Sequence, residues 1–305
     1  MIIFGTAITS TEQYERFAAP GIASVREPDS QVLAHQSTGS LFRNYNLMLD
    51  LAGDQPDLEA LVIVHQDTEL LDDDHFCSKV REALADPEVA IAGCVGAIGV
   101  RSIAWWEGAV TWASFIHRYT EIGGGDITAM SFSEDAKPLF SELGEVDSID
   151  GVLMVLSPWA VRNLRFDESL GRLHGYDFDI CCQAKAAGKK VVTANLRAIH
   201  HHSLDLISDP DAWIEAYIRL AEKWDGKLAH EDVGTDDWHA VAIRARAEAA
   251  CAMGRAQSNE FKYQAALQLL ERIEKSPSWR LTKPLRAAKR LLRRGRSSDA
   301  TTSRH

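Results

Sequence analysis

The stretch LVIVHQDTEL, residues 61–70, decides the fold class. A short apolar run, typical of a buried strand, leads directly into His65, Gln66 and Asp67. Similar β-branched runs occupy residues 2–8, 89–95, 151–157 and 190–194, and helical patterns separate most of them. This alternation predicts an α/β fold with a largely parallel sheet covered by helices. Because ligands of such sheets bind beyond the carboxyl ends of the strands, the chemistry is expected in the residues that follow each run.

The composition is that of an ordinary globular protein, with 46% hydrophobic and 25% charged residues. Its five cysteines form no C-x-x-C pair, which argues against a disulfide framework or a structural zinc site and favours a reducing cytosol. The first apolar run has no basic residue before it, and no run approaches the ~18 apolar residues that span a bilayer. We therefore expect a cytoplasmic protein without a signal peptide or transmembrane helix.

The pattern along the chain predicts three segments: a catalytic domain at 1–208, a helical extension at 209–275 and a basic amphipathic tail at 276–305. The tail carries nine Lys and Arg residues against one acid, Asp299, whereas the whole chain has a net charge of −11. A cationic amphipathic helix can lie on the anionic inner face of the plasma membrane. A solvated tail, or one docked on the acidic body, is the alternative. Nucleic acid is not expected as a partner beside so acidic a body.

Two acids, Asp67 and Glu69, stand at the mouth of the strand at 61–64. Buried carboxylates are costly unless a positive charge meets them, and a diphosphate-bound Mg²⁺ or Mn²⁺ ion would supply it. Three histidines, His200 to His202, follow a later strand, and imidazole can complete such a metal shell. The alternative is that the acids end a strand and cap a helix, while the histidines form ordinary hydrogen bonds.

Two further acids, Asp177 and Asp179, open a predicted helix after a loop rich in glycine. A carboxylate at this place could remove the proton of an acceptor hydroxyl, and Asp177 is the first candidate for that general base, with Asp179 in reserve. Simple capping of the helix is the alternative for either acid.

Four segments, VHQDTEL, SIDGVLMVLS, HGYDFDICCQAKAAGKKV and AIHHHS, resemble in order and spacing the motifs of GT-A glycosyltransferases of family 2, especially those of bacterial polysaccharide synthesis. The resemblance covers roughly residues 1–205. It implies a GT-A fold with a C-terminal helical extension, and a metal-dependent hexosyl- or deoxyhexosyltransferase that inverts the anomeric centre. The implied donor is a UDP- or dTDP-linked sugar. The implied acceptor is a hydroxyl of a glycan or lipid-linked glycan in cell-surface polysaccharide synthesis.

The resemblance also assigns residues. It gives the metal to Asp67 with Glu69, the general base to Asp177, and the acceptor cleft to Asp150 and Gly151. The late metal-binding histidine corresponds to His200 or His201, and we favour His201. The expected donor site comprises Thr6, Ala7, Ile8, Arg43, Asn44, Gln66 and Asp67. The acceptor side is expected to include Trp106 and Glu107.

Two other functions remain open from the sequence. A catalytically inactive scaffold that binds nucleotide or glycan would share the fold, although the retained acids and histidines speak against it. A sugar nucleotidyltransferase normally carries a glycine-rich, basic loop after the first strand, and here that position reads GTAITSTEQYE.

Overall fold

The computed structural model describes residues 1–37, 39–71, 75–100, 102–104, 109–119, 125–128, 144–201, 207, 209–224, 238–282 and 284. The predicted acceptor residues Trp106 and Glu107, and His202 of the histidine triplet, lie outside these residues. Most of the predicted amphipathic helix in the basic tail also lies outside them.

The first half of the chain is rich in strands. Its elements are β1 (Ile2–Ile8), α1 (Thr11–Gln13), a π-helical segment (Tyr14–Ala18), α2 (Ala19–Val25), β2 (Gln31–Gln36), α3 (Leu41–Gly53), β3 (Ala60–Val64), β4 (Thr68–Leu70), α4 (Phe76–Ala83), β5 (Val89–Gly93), β6 (Val95–Ile98), β7 (Ala109–Ala113), β8 (Phe115–Tyr119) and β9 (Gly125–Thr128).

The second half passes from strands to helices. Its elements are β10 (Gly144–Glu145), β11 (Ser148–Ile149), β12 (Leu153–Leu156), α5 (Pro158–Asn163), a 3-10 helix (Glu168–Leu170), α6 (Tyr176–Ala186), β13 (Lys190–Thr193), β14 (Ala198–His200), α7 (Pro210–Trp224), α8 (Trp238–Lys275) and α9 (Pro277–Leu281).

The main sheet has seven strands in the order β10-β13-β5-β12-β3-β1-β2. Strands β2, β1, β3, β5 and β13 run in one direction, while β12 and β10 run in the other. The predicted mixed α/β fold with a mostly parallel sheet and helical C-terminal part is therefore confirmed. The reversed strand β12 lies between β3 and β5, so the sheet is not uniformly parallel.

The core explains why the strands read as continuous apolar runs. All residues of β1, β3, β5 and β12 are buried, as expected for strands covered on both faces. Helix α3 buries Phe42, Tyr45, Met48 and Leu49, a three-to-four-residue spacing that puts one stripe of the helix on the sheet.

A smaller sheet, β4-β14-β8-β9, lies beside the carboxyl end of β3. Strand β4 pairs antiparallel with β14, which places His200 opposite Thr68. Strand β8 pairs parallel with β14 and places His117 beside His200. A third sheet has the strand order β11-β6-β7. The short turn from β3 into β4 therefore brings its polar residues to the histidine that ends β14.

The chain forms two compact units, residues 1–257 and 258–305. The first contains all three sheets, helices α1 to α7 and the first part of α8. The second contains the end of α8 and α9. The three-segment division drawn from the sequence stays a prediction. Among the described residues, no helix is long and apolar enough to cross a membrane.

Candidate active site

The candidate site is built on the turn that follows β3. The backbone N–H of His65 donates to the carbonyl of Val152 (3.1 Å), and that of Thr68 donates back to His65 (3.1 Å). This turn directs Asp67 toward the end of β14, where its Oδ1 lies 3.4 Å from Nε2 of His200. One ligand atom each from His65, Asp67 and His200 lies within 4.8 Å of the others. Two imidazoles and a carboxylate this close together are a suitable ligand set for a divalent cation.

Tyr176, the first residue of α6, holds the imidazole of His65 in its orientation. The Tyr176 hydroxyl and His65 Nε2 lie 2.6 Å apart. Tyr176 is itself buried and packs edge-on against Phe42 and Tyr45. If Nε2 carries the proton and donates it to the hydroxyl, Nδ1 keeps the lone pair that a metal needs. The tyrosine would therefore orient His65 for metal binding.

Residue 151 must be glycine because the side chain of Tyr176 lies where a Cβ atom would be. A Cβ at residue 151 would lie 2.1 Å from the Tyr176 hydroxyl and 2.4 Å from two atoms of its ring. The aromatic packing around Tyr176 leaves the ring no simple way to move aside. The sequence assigned Gly151 to the acceptor cleft, whereas its clear structural role is to admit Tyr176.

Gly151→Ala is expected to lower the free energy of unfolding by about 2 kcal/mol, because the ring must be displaced within a packed core. The displaced hydroxyl also releases His65, so metal affinity should fall about tenfold. Thermal denaturation and Mn²⁺ titration measure the two effects. The matched control is Gly53→Ala at the end of α3, where the new Cβ would meet nothing closer than Val161 at 3.7 Å. Equal behaviour of the two variants would contradict this account.

Asp177 follows Tyr176 and lies beside the predicted Asp150–Gly151 pair. Its Oδ2 accepts from the backbone N–H of Gly151 (3.0 Å), and its Oδ1 accepts from Phe178 (2.9 Å). Burial, together with the negative charge of Asp150, raises the pKa of Asp177 to about 7. Asp150 is held in turn by the backbone N–H of Val152, which donates to its Oδ1 (2.9 Å). A carboxyl group with such a pKa is suited to proton transfer near neutral pH.

Asp179 has a different environment. It is fully buried, and its two oxygens accept from Lys223 Nζ (2.8 and 3.0 Å), Trp224 Nε1 (2.8 Å) and Gln183 Nε2 (2.7 Å). These contacts bind α6 to α7. With its acceptor sites occupied and no exposed surface, Asp179 cannot reach a substrate hydroxyl, so the geometry favours Asp177 for the base position.

Asp179→Ala is expected to lower the free energy of unfolding by about 3 kcal/mol, because Lys223 and Trp224 lose a buried acceptor. Chemical denaturation measures this loss. The control is Glu215→Ala, which removes an exposed i,i+4 ion pair with Arg219 and should cost no more than about 0.5 kcal/mol. A near-neutral effect of Asp179→Ala would remove the structural role assigned to this residue.

The structure separates the remaining two predicted metal ligands from the cluster. His201 Nε2 lies 2.8 Å from Glu69 Oε2, and its ring stacks on Phe17 with centroids 3.7 Å apart. Neither residue belongs to the group formed by His65, Asp67 and His200. The backbone N–H of His201 donates to the Asp67 carbonyl (2.8 Å), but it is the imidazole of His200, and not that of the favoured His201, that lies beside the Asp67 carboxylate.

The predicted donor residues fall into three groups. Thr6, Ala7 and Ile8 are buried at the end of β1. Gln66 fixes that end, because its side chain accepts from the backbone N–H groups of Thr9 and Ser10 (2.7 and 2.8 Å) and donates to Thr9 Oγ1 (2.7 Å). The last group lies at the start of α3, where the Asn44 amide donates to Ser37 Oγ (2.6 Å) and the Ser40 carbonyl (2.8 Å), and Arg43 is exposed.

Sequence reasoning missed three residues at this site. From the sequence, His65 only follows the strand at 61–64 and is not a predicted metal ligand, and Tyr176 has no predicted role. His117 was not considered. Its buried ring lies 5.2 Å from that of His200, across the β14–β8 pairing. No spacing along the chain could have indicated His117, because the contact depends on a pairing between distant strands.

The mostly parallel sheet carries at one edge a possible cation site and a carboxyl group suited to proton transfer, which is compatible with a GT-A type glycosyltransferase. A family model described as "Glycosyltransferase like family" matches residues 12–210, more than half of the chain. The chain therefore belongs to this glycosyltransferase-like family, and glycosyl transfer is its class of reaction. The predicted resemblance to glycosyltransferases of this type is confirmed.

The chain is similar to one curated protein, the streptomycin biosynthesis protein StrF of Streptomyces griseus. The two are 30% identical over 210 residues, which make up 67% of each chain. This similarity supports the same family. It leaves open which donor and acceptor the chain uses.

Two solved structures are similar at a lower level. A197 from STIV has a TM-score of 0.41 and 14% identity, covering 66% of this chain and 85% of its own. GalNAc-T7, solved with UDP, GalNAc and Mn²⁺, has a TM-score of 0.49 and 10% identity, covering 81% of this chain and 54% of its own. At TM-scores below 0.5, neither likeness bears on the fold or the activity.

Proposed function

We propose that this protein is an inverting glycosyltransferase that moves a sugar from a nucleoside-diphosphate donor to a hydroxyl of a glycan or lipid-linked acceptor. The observation that carries the proposal is the meeting of His65, Asp67 and His200 beside the helix start that bears Asp177. One part of this edge suits a diphosphate-bound cation, and the other suits removal of a proton. A metal-dependent inverting transfer uses both.

The proposed metal ligands are His65, Asp67 and His200. Carboxylate oxygens are accepted by Mg²⁺ and Mn²⁺ alike, whereas two imidazole nitrogens are poor ligands for Mg²⁺. The ligand set therefore favours Mn²⁺ of the two ions expected from the sequence. When bound, the cation would neutralise charge on the departing diphosphate. Glu69 and His201 are not proposed as ligands, because they pair with one another.

The proposed base is Asp177. As the acceptor oxygen forms its bond to the anomeric carbon, the bond from that carbon to the diphosphate oxygen breaks, and the diphosphate leaves with the electron pair. The carboxylate of Asp177 takes the hydroxyl proton. The backbone N–H groups of Gly151 and Phe178 orient the carboxylate. Attack opposite the leaving group inverts the anomeric centre, and no covalent intermediate with the protein is required.

Calorimetric titration with UDP, dTDP and GDP, each with and without Mn²⁺, tests the donor half of the proposal. We expect one nucleoside diphosphate, UDP or dTDP, to bind about tenfold more tightly with the cation than without it. Incubation of the matching nucleotide sugars with an acceptor extract then tests for release of the diphosphate. If none of the three nucleotides binds in the presence of Mn²⁺, the inactive scaffold replaces the transferase.

A further inference from the structure

The histidine that ends β14 lies in a row of three polar side chains across the small sheet. Strand β14 pairs with β4 on one side and with β8 on the other, so His200 stands opposite both Thr68 and His117. Residues opposite one another point to the same face of a sheet. All three are buried, with exposures of 0% for Thr68, 6% for His117 and 7% for His200. The imidazole of His200 therefore lies between a hydroxyl on one strand and a second imidazole on the other.

Thr68 and His200 form a close cross-strand pair. The backbone N–H of His201 donates to the carbonyl of Asp67 (2.8 Å), so the next pair along the ladder, Thr68 and His200, is a non-hydrogen-bonded pair. In an antiparallel ladder, such pairs bring their side chains closest, with Cα atoms about 4.5 Å apart. The hydroxyl of threonine and Nδ1 of histidine both lie near the backbone of their own residues. The pairing therefore brings the Thr68 hydroxyl to the Nδ1 side of the His200 ring.

The hydroxyl of Thr68 is buried without a partner in the described part of the chain. Its Oγ1 is enclosed, and no described residue forms a hydrogen bond with it. Burying a hydroxyl in this way costs free energy. Valine has the same shape and suits a buried strand at least as well, so packing alone would favour valine at residue 68. A threonine here indicates a hydrogen bond that forms in another state of the site.

We propose that Thr68 is a positioning residue of the cation site, an inference that rests on the proposed function. His200 faces the carboxylate of Asp67 through Nε2 (3.4 Å), so Nε2 is the nitrogen for the cation and Nδ1 carries the proton. When the cation is bound, the hydroxyl of Thr68 accepts a hydrogen bond from Nδ1. Such a bond fixes the tautomer and the orientation of a ligating imidazole. Thr68 would thus act on His200 as Tyr176 does on His65.

Two substitutions of Thr68 separate this role from packing. Thr68→Val removes the hydroxyl and keeps the shape, so Mn²⁺ should bind about tenfold more weakly, while the melting temperature of the metal-free protein should stay the same or rise. Thr68→Ser keeps the hydroxyl and removes a methyl group. We expect its Mn²⁺ affinity to stay within about threefold of that of the unaltered protein and its melting temperature to fall by about 3 °C. Calorimetric titration with Mn²⁺ alone and thermal denaturation without metal measure the two properties.

The matched control is Thr193→Val on β13. Thr193 is equally buried, but it belongs to the main sheet, and its hydroxyl donates to the carbonyl of Gly144 (3.4 Å). We expect this control to bind Mn²⁺ as the unaltered protein does. Undiminished Mn²⁺ binding by Thr68→Val, or equal losses of affinity in Thr68→Val and Thr68→Ser, would overturn the inference and leave the proposed function standing. Absence of Mn²⁺ binding by the unaltered protein would instead overturn the cation site, and this inference with it.

Discussion

Asp67→Asn should weaken metal-dependent binding of the donor nucleotide by about a hundredfold and reduce transfer at least as much. The substitution keeps the size of the side chain but removes the only negative charge among His65, Asp67 and His200. A neutral amide oxygen is a poor ligand for a divalent cation and leaves the positive charge uncompensated beside two imidazoles. Calorimetry with Mn²⁺ and nucleotide measures the binding, and release of nucleoside diphosphate measures the transfer.

The matched control for this experiment is Glu69→Gln. Glu69 is also an acid of the turn after β3, but it pairs with His201 and lies outside the ligand cluster. We expect the control to bind nucleotide and Mn²⁺ within about threefold of the unaltered protein. Comparable losses in both variants would mean that the metal site extends to Glu69, as the sequence alone had predicted. Undiminished binding by Asp67→Asn would remove the metal from this turn.

Asp177→Asn should reduce turnover about a thousandfold while leaving donor and Mn²⁺ binding unchanged. The amide cannot accept the proton of the acceptor hydroxyl, but it lies outside the ligand cluster. A fall in both donor binding and turnover would assign Asp177 to the donor site instead of the proton transfer. The parallel measurement on Asp179→Ala, made on folded protein, should show much smaller losses in turnover.

The same residue predicts a pH dependence. Burial and the charge of Asp150 raise the pKa of Asp177 to about 7 in the folded protein, so the base is progressively protonated as pH falls below 7. The rate of transfer should then drop about tenfold per pH unit. A rate that stays constant from pH 7.5 to 5.5 would contradict the assignment of Asp177 as the base.

The raised pKa also has a consequence for stability. In the unfolded chain this carboxyl titrates near 3.8, so the folded state holds its proton more tightly. The stabilisation from proton binding is fully present below pH 4 and is lost as pH rises to about 7. At pH 8 the ionised group therefore opposes folding, and Asp177→Asn should be no less stable than the unaltered protein. The wild-type residue would be retained for the reaction at a cost in stability.

The centre of the sheet could be predicted from the sequence, because β1, β3, β5, β12 and β13 are short apolar runs. The edge strands β2 and β10 could not, since QVLAHQ and GE are not apolar runs. The direction of β12 could not. Its residues LMVL are as apolar as those of its neighbours β3 and β5. A strand that is buried on both faces is apolar at every residue, whether it runs parallel or antiparallel to its neighbours. The direction of β12 depends on the path of the chain between strands that are far apart in sequence, and this path leaves no periodic pattern of apolar residues.

The site could be predicted in part. Asp67 and the histidine triplet stand out because polar residues follow apolar runs directly. The choice between His200 and His201 was beyond the sequence, since alternation shows that they face opposite sides but not which side meets Asp67. The register of β14 against β4 decides that. Asp177 and Asp179 are similarly about 200° apart around α6. Only the packing of α7 shows that the side of α6 that carries Asp179 is buried and out of reach of a substrate.

The hydrogen bond between Tyr176 and His65 joins the two halves of the proposed reaction. One end belongs to the proposed cation site, and the other is the immediate neighbour of the proposed base. A shift of α6 along its axis would therefore move both together, so departure of the diphosphate and removal of the proton are geometrically linked. Substitutions on the two sides of this bond should accordingly be non-additive in their effects on the rate, and a double-mutant cycle would measure the coupling.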